Sequence, residues 1–512
     1  MDAVAAKEGC PKGCPRCVVL EKEVAELRRE VAELKALLGR NSSNSSTPPS
    51  CDPPAAPPRP PKPPTGRRRG GQVGHRGHHR ELLPPGRVDD VVEHLPASCR
   101  HCHAALPRAA GPHDPPPHRH QVWELPPLAA VVTEHRGHAR TCPRCGGVTR
   151  EPVPPGVLAH TLGPRLSALM SYLSGRCHDG RRVVLEFVND VLGVPLSLGT
   201  VCAREREMAA ALRRPWRRVG RAVRRAAAKN VDETGWKQAG RRRWLWLAAA
   251  KKAALFAIHP SRGWRGLRSV LGPDPRSTGG GKGVVGCDRF PTYEPIPDRN
   301  RQLCWAHLGR EFRKWSEPGG HSAAAMDMGE QGAAVAARVL GLWRDFRARR
   351  LGRPALRREA SKLDKDLAAL LRRGTRLRRR RDLKAARFCA KLLARRPSLW
   401  TFLHAPGVEP TNNHAERCLR PAVLWRKNSF GCDSEAGCRF AERILTAVTT
   451  LRLRGRRVLD YLQRAIESHR ANLPAPSILA RRGLNGYSNR KESVGDERPT
   501  DPACCPDRCA RR

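Results

Sequence analysis

Asn230-Val231-Asp232-Glu233-Thr234-Gly235-Trp236 is the stretch whose reading decides the fold. It leads into Trp244-Leu245-Trp246-Leu247-Ala248 and then Ala254-Leu255-Phe256-Ala257-Ile258-His259. These short apolar and aromatic runs read as three adjacent strands. Trp264 to Leu271 reads as a helix, and Gly283-Val284-Val285-Gly286-Cys287-Asp288-Arg289-Phe290 as a buried strand ending in an acid. An apolar strand presents its last residue where a ligand can bind. Two carboxylates at adjacent strand ends, Asp232 and Asp288, can share hard divalent cations such as Mg²⁺ or Mn²⁺. Glu233 is the competing carboxylate, but neighbouring residues of a strand point to opposite faces.

A third carboxylate, Glu416, lies in Glu409-Pro410-Thr411-Asn412-Asn413-His414-Ala415-Glu416-Arg417-Cys418-Leu419-Arg420-Pro421. At helical spacing Asn412, Glu416 and Arg420 share a face, which would bring an amide, a carboxylate and a guanidinium to a scissile phosphate. Asn413 and Glu416 also have capping-box spacing, a purely structural alternative. Pro421 is expected to end or kink the helix.

The balance of 96 Lys+Arg against 48 Asp+Glu gives a formal charge of +48, so the expected partner is a polyanion, nucleic acid first. At 512 residues several domains are expected. No segment has the roughly 18 uninterrupted apolar residues of a membrane span, so the chain reads as cytoplasmic and nucleoid-associated.

Along the chain, Leu20, Val24, Leu27, Val31, Leu34 and Leu38 form a heptad seam, with Glu23 and Arg28, and Glu30 and Lys35, at its flanks. Residues 1–40 are therefore expected to dimerise as a parallel coiled coil, with an amphipathic helix packed on its own domain as the alternative. Cys10, Cys14 and Cys17 lack an evident fourth metal ligand. Residues 41–80 hold ten prolines between Pro48 and Pro64, a semi-extended linker, followed by a basic arm in which Arg67, Arg68 and Arg69 are candidate DNA contacts. Within 81–155, Cys99-x2-Cys102 and Cys142-x2-Cys145 are separated by 39 residues. Two such knuckles can close a structural Zn²⁺ cage in a ribbon, with strands expected at Gln121–Leu125 and Val131–Glu134. Residues 156–228 read as helices, with a possible helix-turn-helix around Gly193–Thr200. Cys304-x2-His307 reads either as a metal half-site or as the packed first turn of a helix. The Arg-rich runs of residues 313–406, such as Arg376 to Arg381, are too charged for a core.

Val231-Asp232-Glu233-Thr234-Gly235-Trp236, Cys304-Trp305-Ala306-His307, Thr411-Asn412-Asn413-His414-Ala415-Glu416-Arg417 and Arg426-Lys427-Asn428-Ser429-Phe430-Gly431 together resemble the insertion-sequence-66 family of bacterial transposases. The likeness runs from the zipper through the paired knuckles to about Leu462. It implies a multidomain α+β protein whose ribonuclease-H-like core spans 229–470, with a helical insertion at about 313–406 and a tail at 471–512 outside the family pattern. It also implies an Asp-Asp-Glu triad, which carries onto Asp232, Asp288 and Glu416, holding two Mg²⁺ for DNA strand cleavage and transfer. Asn413, Arg417, Arg426 and Lys427 join Asn412 and Arg420 as DNA-contacting candidates. The expected partners are transposon ends, target DNA, a second copy of the chain and accessory proteins of the same element. A repurposed, non-catalytic DNA-binding protein is the alternative; a serine or tyrosine recombinase is weakened by only four tyrosines and no nucleophile motif.

Overall fold

The computed structural model describes residues 15–38, 81–109, 111–273, 283–317 and 321–480. Arg67, Arg68, Arg69, Cys10 and Cys14, with the whole linker and basic arm of residues 41–80 and the tail beyond residue 480, lie outside the described residues.

The zipper segment is one helix, α1 (Pro15–Leu38), along which Leu20, Val24, Leu27, Val31 and Leu34 are all exposed. Each cysteine pair that follows sits in its own tight turn. Cys99 N–H donates to the Ala104 carbonyl at 2.9 Å, and Cys142 N–H to that of Gly147 at 2.8 Å between β1 (Ala139–Thr141) and β2 (Val148–Arg150). The strands expected at Gln121–Leu125 and Val131–Glu134 are not formed: none of these residues belongs to a strand, and Val131 and Val132 are 95% and 89% exposed. Alternation alone does not make a strand without a partner edge.

After α2 (Pro155–Leu158), the helices α3 (Pro164–Tyr172), α4 (Arg181–Leu192), α5 (Leu198–Ala211) and α6 (Arg213–Arg225) lead to the sheet. The α4–α5 pair has the expected turn, with the Ser197 hydroxyl accepting from Thr200 N–H at 3.3 Å. Val201, Glu205, Met208, Ala209 and Ala211 of α5 are buried, while Leu198, Gly199, Arg206 and Ala210 stay exposed.

The sheet contains β3 (Ala228–Gln238), β4 (Arg241–Ala250), β5 (Ala253–His259), β6 (Val284–Cys287) and β7 (Arg301–Leu303), in the order β5-β4-β3-β6-β7. The first three form an antiparallel meander, and β6 and β7 add parallel to β3. α7 (Trp264–Leu271) lies between β5 and β6. Beyond β7 come α8 (Trp305–Ser316), α9 (Ala323–Arg347), α10 (Arg353–Gly374), α11 (Leu383–Ala394) and α12 (Thr401–His404), the helical insertion. The chain returns through α13 (Asn413–Ser429), α14 (Glu435–Leu453) and α15 (Val458–Arg470). The insertion is set off by β7 and α8 as well as by the Asp288 strand, a connection the sequence reading did not resolve. Arg376 and Arg378 to Arg381 are exposed, as their charge requires.

Helix α14 covers the outer rim of β5. Glu442, Thr446 and Thr450, at four-residue steps, accept hydrogen bonds from the N–H groups of Ile258, Phe256 and Ala254, at two-residue steps. Four helical residues rise about 6 Å and two strand residues about 6.8 Å, so the two ladders match over this length. Trp216 of α6 donates its indole N–H to the Phe256 carbonyl at 2.9 Å.

Candidate active site

Asp232 lies in β3 and Asp288 just beyond β6. The parallel register pairs Asn230 with Gly286, two residues before Asp232 and Asp288 respectively, and the charge of Asp288 acts on Asp232. Asp288 turns the chain by accepting from Phe290 N–H at 2.8 Å. Glu416 arrives from the first turn of α13. Burial, reinforced by the negative charges of Glu233, Asp288 and Glu416, holds the Asp232 carboxyl well above its ordinary range. A bound divalent cation would relieve this crowding, and an all-carboxylate donor set suits Mg²⁺ or Mn²⁺.

Glu233 sits on the opposite face, in register with Trp246. Arg262 donates from two nitrogens at 3.0 Å to one of its oxygens, and the Tyr293 hydroxyl donates to the other. The Arg262 guanidinium also lies over the Phe290 ring at 3.9 Å. Burial raises the Glu233 pKa against these partners. Both oxygens are thus engaged by the protein.

α13 is fixed to the sheet at both ends. Asn412 is 1% exposed: its amide donates to the Val231 carbonyl at 2.8 Å and accepts from Asn230 at 2.9 Å, and its backbone N–H donates to Cys304 Sγ at 3.2 Å. A Cβ at Gly286 would lie 2.4 Å from the Asn230 amide, so glycine there keeps this bridge open. Further along, Arg426 donates to Thr234 Oγ1 at 3.0 Å and to the Gly235 carbonyl at 2.8 Å. Trp425 stacks on His178 at 5.3 Å and meets Trp236 edge-on at 6.2 Å.

These contacts revise several expectations. Asn412, expected at DNA, spends its polar groups inside the protein, and Arg426 Nη1 is tied to β3, whereas Arg420 stays exposed one helical turn from Glu416. The capping box is not formed: the helix begins at Asn413 and Glu416 Oε1 has no hydrogen-bond partner. Pro421 does not end the helix, which runs to Ser429, where Phe430 adopts a left-handed φ of 57°. Tertiary anchoring on both sides of the proline outweighs its missing donor. Asn413, Arg417, Arg420 and Lys427 are exposed and spaced to share one stripe of α13 beside Glu416.

His307, read as one half of a metal site or a packed turn, is in the first turn of α8. Its Nδ1 lies 3.7 Å from Glu416 Oε1, too long for a hydrogen bond, and neither buried atom has another partner. Burial, with Arg310 beside it, lowers the His307 pKa, and the charges of Glu416 and Asp288 oppose that. Among the described residues Cys304, His307 and Glu416 are the one group of three metal-competent side chains within 4.8 Å. The thiols of Cys99, Cys102, Cys142 and Cys145 are accordingly not gathered into a single cage in this structure. Backbone N–H groups, Cys102 for Cys99 and Arg144 for Cys142, lower both thiol pKa values.

The family model described as Transposase IS66 family matches residues 182–440, half of the chain and all of the elements that build this site. The protein is a transposase, and it belongs to the IS66 family. Residues 16–81 match a family of unknown function, DUF6444. The chain is also similar to the uncharacterized protein y4qI of Sinorhizobium fredii, at 27% identity over 277 residues, which cover 49% of this chain and 48% of that protein. The chain spans about half the length of this curated relative.

Proposed function

We propose that this transposase cuts DNA at the ends of its element and joins the freed strand to a target, through a ribonuclease-H-like core in which Asp232, Asp288 and Glu416 hold divalent metal. The observation that carries the reading is the parallel pairing of β3 with β6 just before Asp232 and Asp288, with the charges of Asp288 and Glu416 both acting on Asp232. The sheet order β5-β4-β3-β6-β7, antiparallel then parallel, supports the same core. Bound Mg²⁺ or Mn²⁺ would activate an attacking oxygen and stabilise a leaving one. In the first step water attacks phosphorus and the 3′-oxygen leaves with a proton; in the second that 3′-hydroxyl, giving up its proton, attacks a target phosphodiester and displaces the target strand's own 3′-oxygen, which leaves as a hydroxyl. Asn412 and Arg426 position Glu416 against the strands, while Asn413, Arg417, Arg420 and Lys427 offer polar groups to the DNA backbone.

Around the core, the exposed seam of α1 suits a parallel dimer, and the two thiolate turns suit structural Zn²⁺ once brought together. The test is nicking and joining of DNA carrying the element's ends by Asp232→Asn, Asp288→Asn and Glu416→Gln. Each should lose activity by at least about 10²–10³-fold with DNA binding retained. Glu233→Gln, altering the carboxylate engaged by Arg262 and Tyr293, should retain cleavage. Undiminished metal-dependent cleavage by Glu416→Gln would remove that residue from the trio, and absence of cleavage by the unmodified protein would favour a DNA-binding role alone.

A further inference from the structure

α6 reads Arg213-Arg214-Pro215-Trp216-Arg217-Arg218-Val219-Gly220-Arg221-Ala222-Val223-Arg224-Arg225, seven arginines and no acid. Its apolar side is fixed. Val219 and Val223 are fully buried, Gly220 packs against Leu255, and Arg224 donates to the Ser269 and Val270 carbonyls at 2.9 and 3.1 Å. Lys229 closes the helix end by donating to the Arg224 and Ala226 carbonyls at 2.8 and 2.9 Å. The other six arginines are exposed, and none forms an ion pair with a carboxylate among the described residues. Like charges at i,i+4, such as Arg214 with Arg218 and Arg217 with Arg221, oppose helix formation. This concentration of charge has no internal counterpart, and it lines an open groove of about 530 Å³.

The groove faces away from the carboxylates. Leu255 pairs through Ala248 with Val231, whereas Phe256 pairs through Leu247 with Asp232, so α6 rests on the other face of the sheet from Asp232. We infer that the arginine face of α6 is a second DNA-binding surface, which grips the phosphates of a duplex segment other than the one at Asp232, Asp288 and Glu416. Arg214, Arg218, Arg221 and Arg225 form a stripe about 16 Å long, which matches about five successive phosphates of one strand. The groove offers no exposed aromatic platform for unstacked bases: Trp216 is tied to Phe256. It is therefore suited to the backbone of double-stranded DNA rather than to single strands. The inference rests on the reading of the chain as a DNA-joining enzyme, which must hold more than one DNA segment.

The experiment measures binding of the full chain to a fluorescein-labelled, mixed-sequence duplex of about 30 base pairs by anisotropy over a series of salt concentrations. The triple variant Arg214→Gln, Arg218→Gln, Arg221→Gln is compared with Arg358→Gln, Lys362→Gln, Lys365→Gln on α10, where Glu359, Asp364 and Asp366 intersperse the cations. The α6 variant should bind at least about tenfold more weakly at low salt, with the log–log salt slope reduced by about 2–3, and the α10 variant should match the unmodified protein. Equal losses in both variants, or no loss in either, would overturn the assignment. Loss of binding to single-stranded RNA of the same length with duplex binding intact would assign the face to RNA and overturn it as well. Asp232→Asn should keep the α6-dependent slope, so failure of the catalytic reading and failure of this one give different results.

Discussion

The side-chain amide of Asn412 donates to the carbonyl of Val231 at 2.8 Å, which joins the residue just before the helix of Glu416 to the residue just before Asp232. Two carboxylates from distant parts of the chain are thereby held by one buried bridge. Asn412→Ala would leave the Val231 carbonyl and the Asn230 amide without their partner, at a cost of about 1–3 kcal/mol. Strand cleavage should fall while the salt dependence of DNA binding stays as in the unmodified protein. A reduced salt slope would return Asn412 to the DNA-contacting set.

Thr446→Val keeps the shape of the side chain and removes the acceptor for Phe256 N–H in the middle of the β5 rim. The expected loss is about 1–3 kcal/mol of unfolding free energy, read as a lower urea midpoint with unchanged slope. An unaltered midpoint would show that this N–H finds another acceptor.

Glu442 gives the stability a pH dependence. Burial raises its pKa to about 7 from an ordinary 4.5, although Arg439 and Ile258 N–H pull it down. The folded protein therefore binds the proton more tightly than the unfolded chain. The stabilisation is complete below about pH 4.5 and is lost as pH rises through about 7, up to about 3 kcal/mol in all. Denaturant titrations between these pH values should show the decline, and Glu442→Gln should flatten it. A decline that persists in the variant belongs to another group.

Purified protein is expected to contain about one zinc per chain, lost in Cys99→Ser or Cys142→Ser together with order between residues 95 and 150. Elemental analysis of the unmodified protein decides the matter, because zinc-free protein with a native spectrum excludes the cage.

Leu27→Glu with Val31→Glu places charge in the exposed seam of α1. Sedimentation should then report weaker self-association with the melting of the core unchanged. Self-association as tight as in the unmodified chain would move the oligomer contact elsewhere.

The core strands were legible because β3, β4 and β5 carry their own apolar and aromatic patterns. The positions of Asp232 in β3 and Asp288 just beyond β6 were legible from the same patterns, and that of Glu416 in α13 from its helical spacing. β7 was not legible. Arg301, Gln302 and Leu303 look like a polar connection, and their burial depends on partners about 100 residues away: Gln302 donates to the Leu399 carbonyl at 3.0 Å and accepts from Phe402 N–H at 2.8 Å. The same distance in sequence hid the inward roles of Asn412 and Arg426, whose residue types alone fit a DNA contact equally well. His307 carried a signal in its spacing from Cys304, and the fold adds Glu416 to that pair. Val131 and Val132 misled in the other direction, since apolar alternation does not show whether a partner strand is at hand.

Both rims of the central sheet are occupied. Side chains of α14 and α6 take the outward groups of β5, and on β7 the Thr401 hydroxyl donates to the Arg301 carbonyl at 2.7 Å. A bare rim is a template on which other chains can add strands without limit. Here such growth would first have to displace hydrogen bonds already made, so the folded enzyme resists fibre formation even when concentrated by its own charge along DNA.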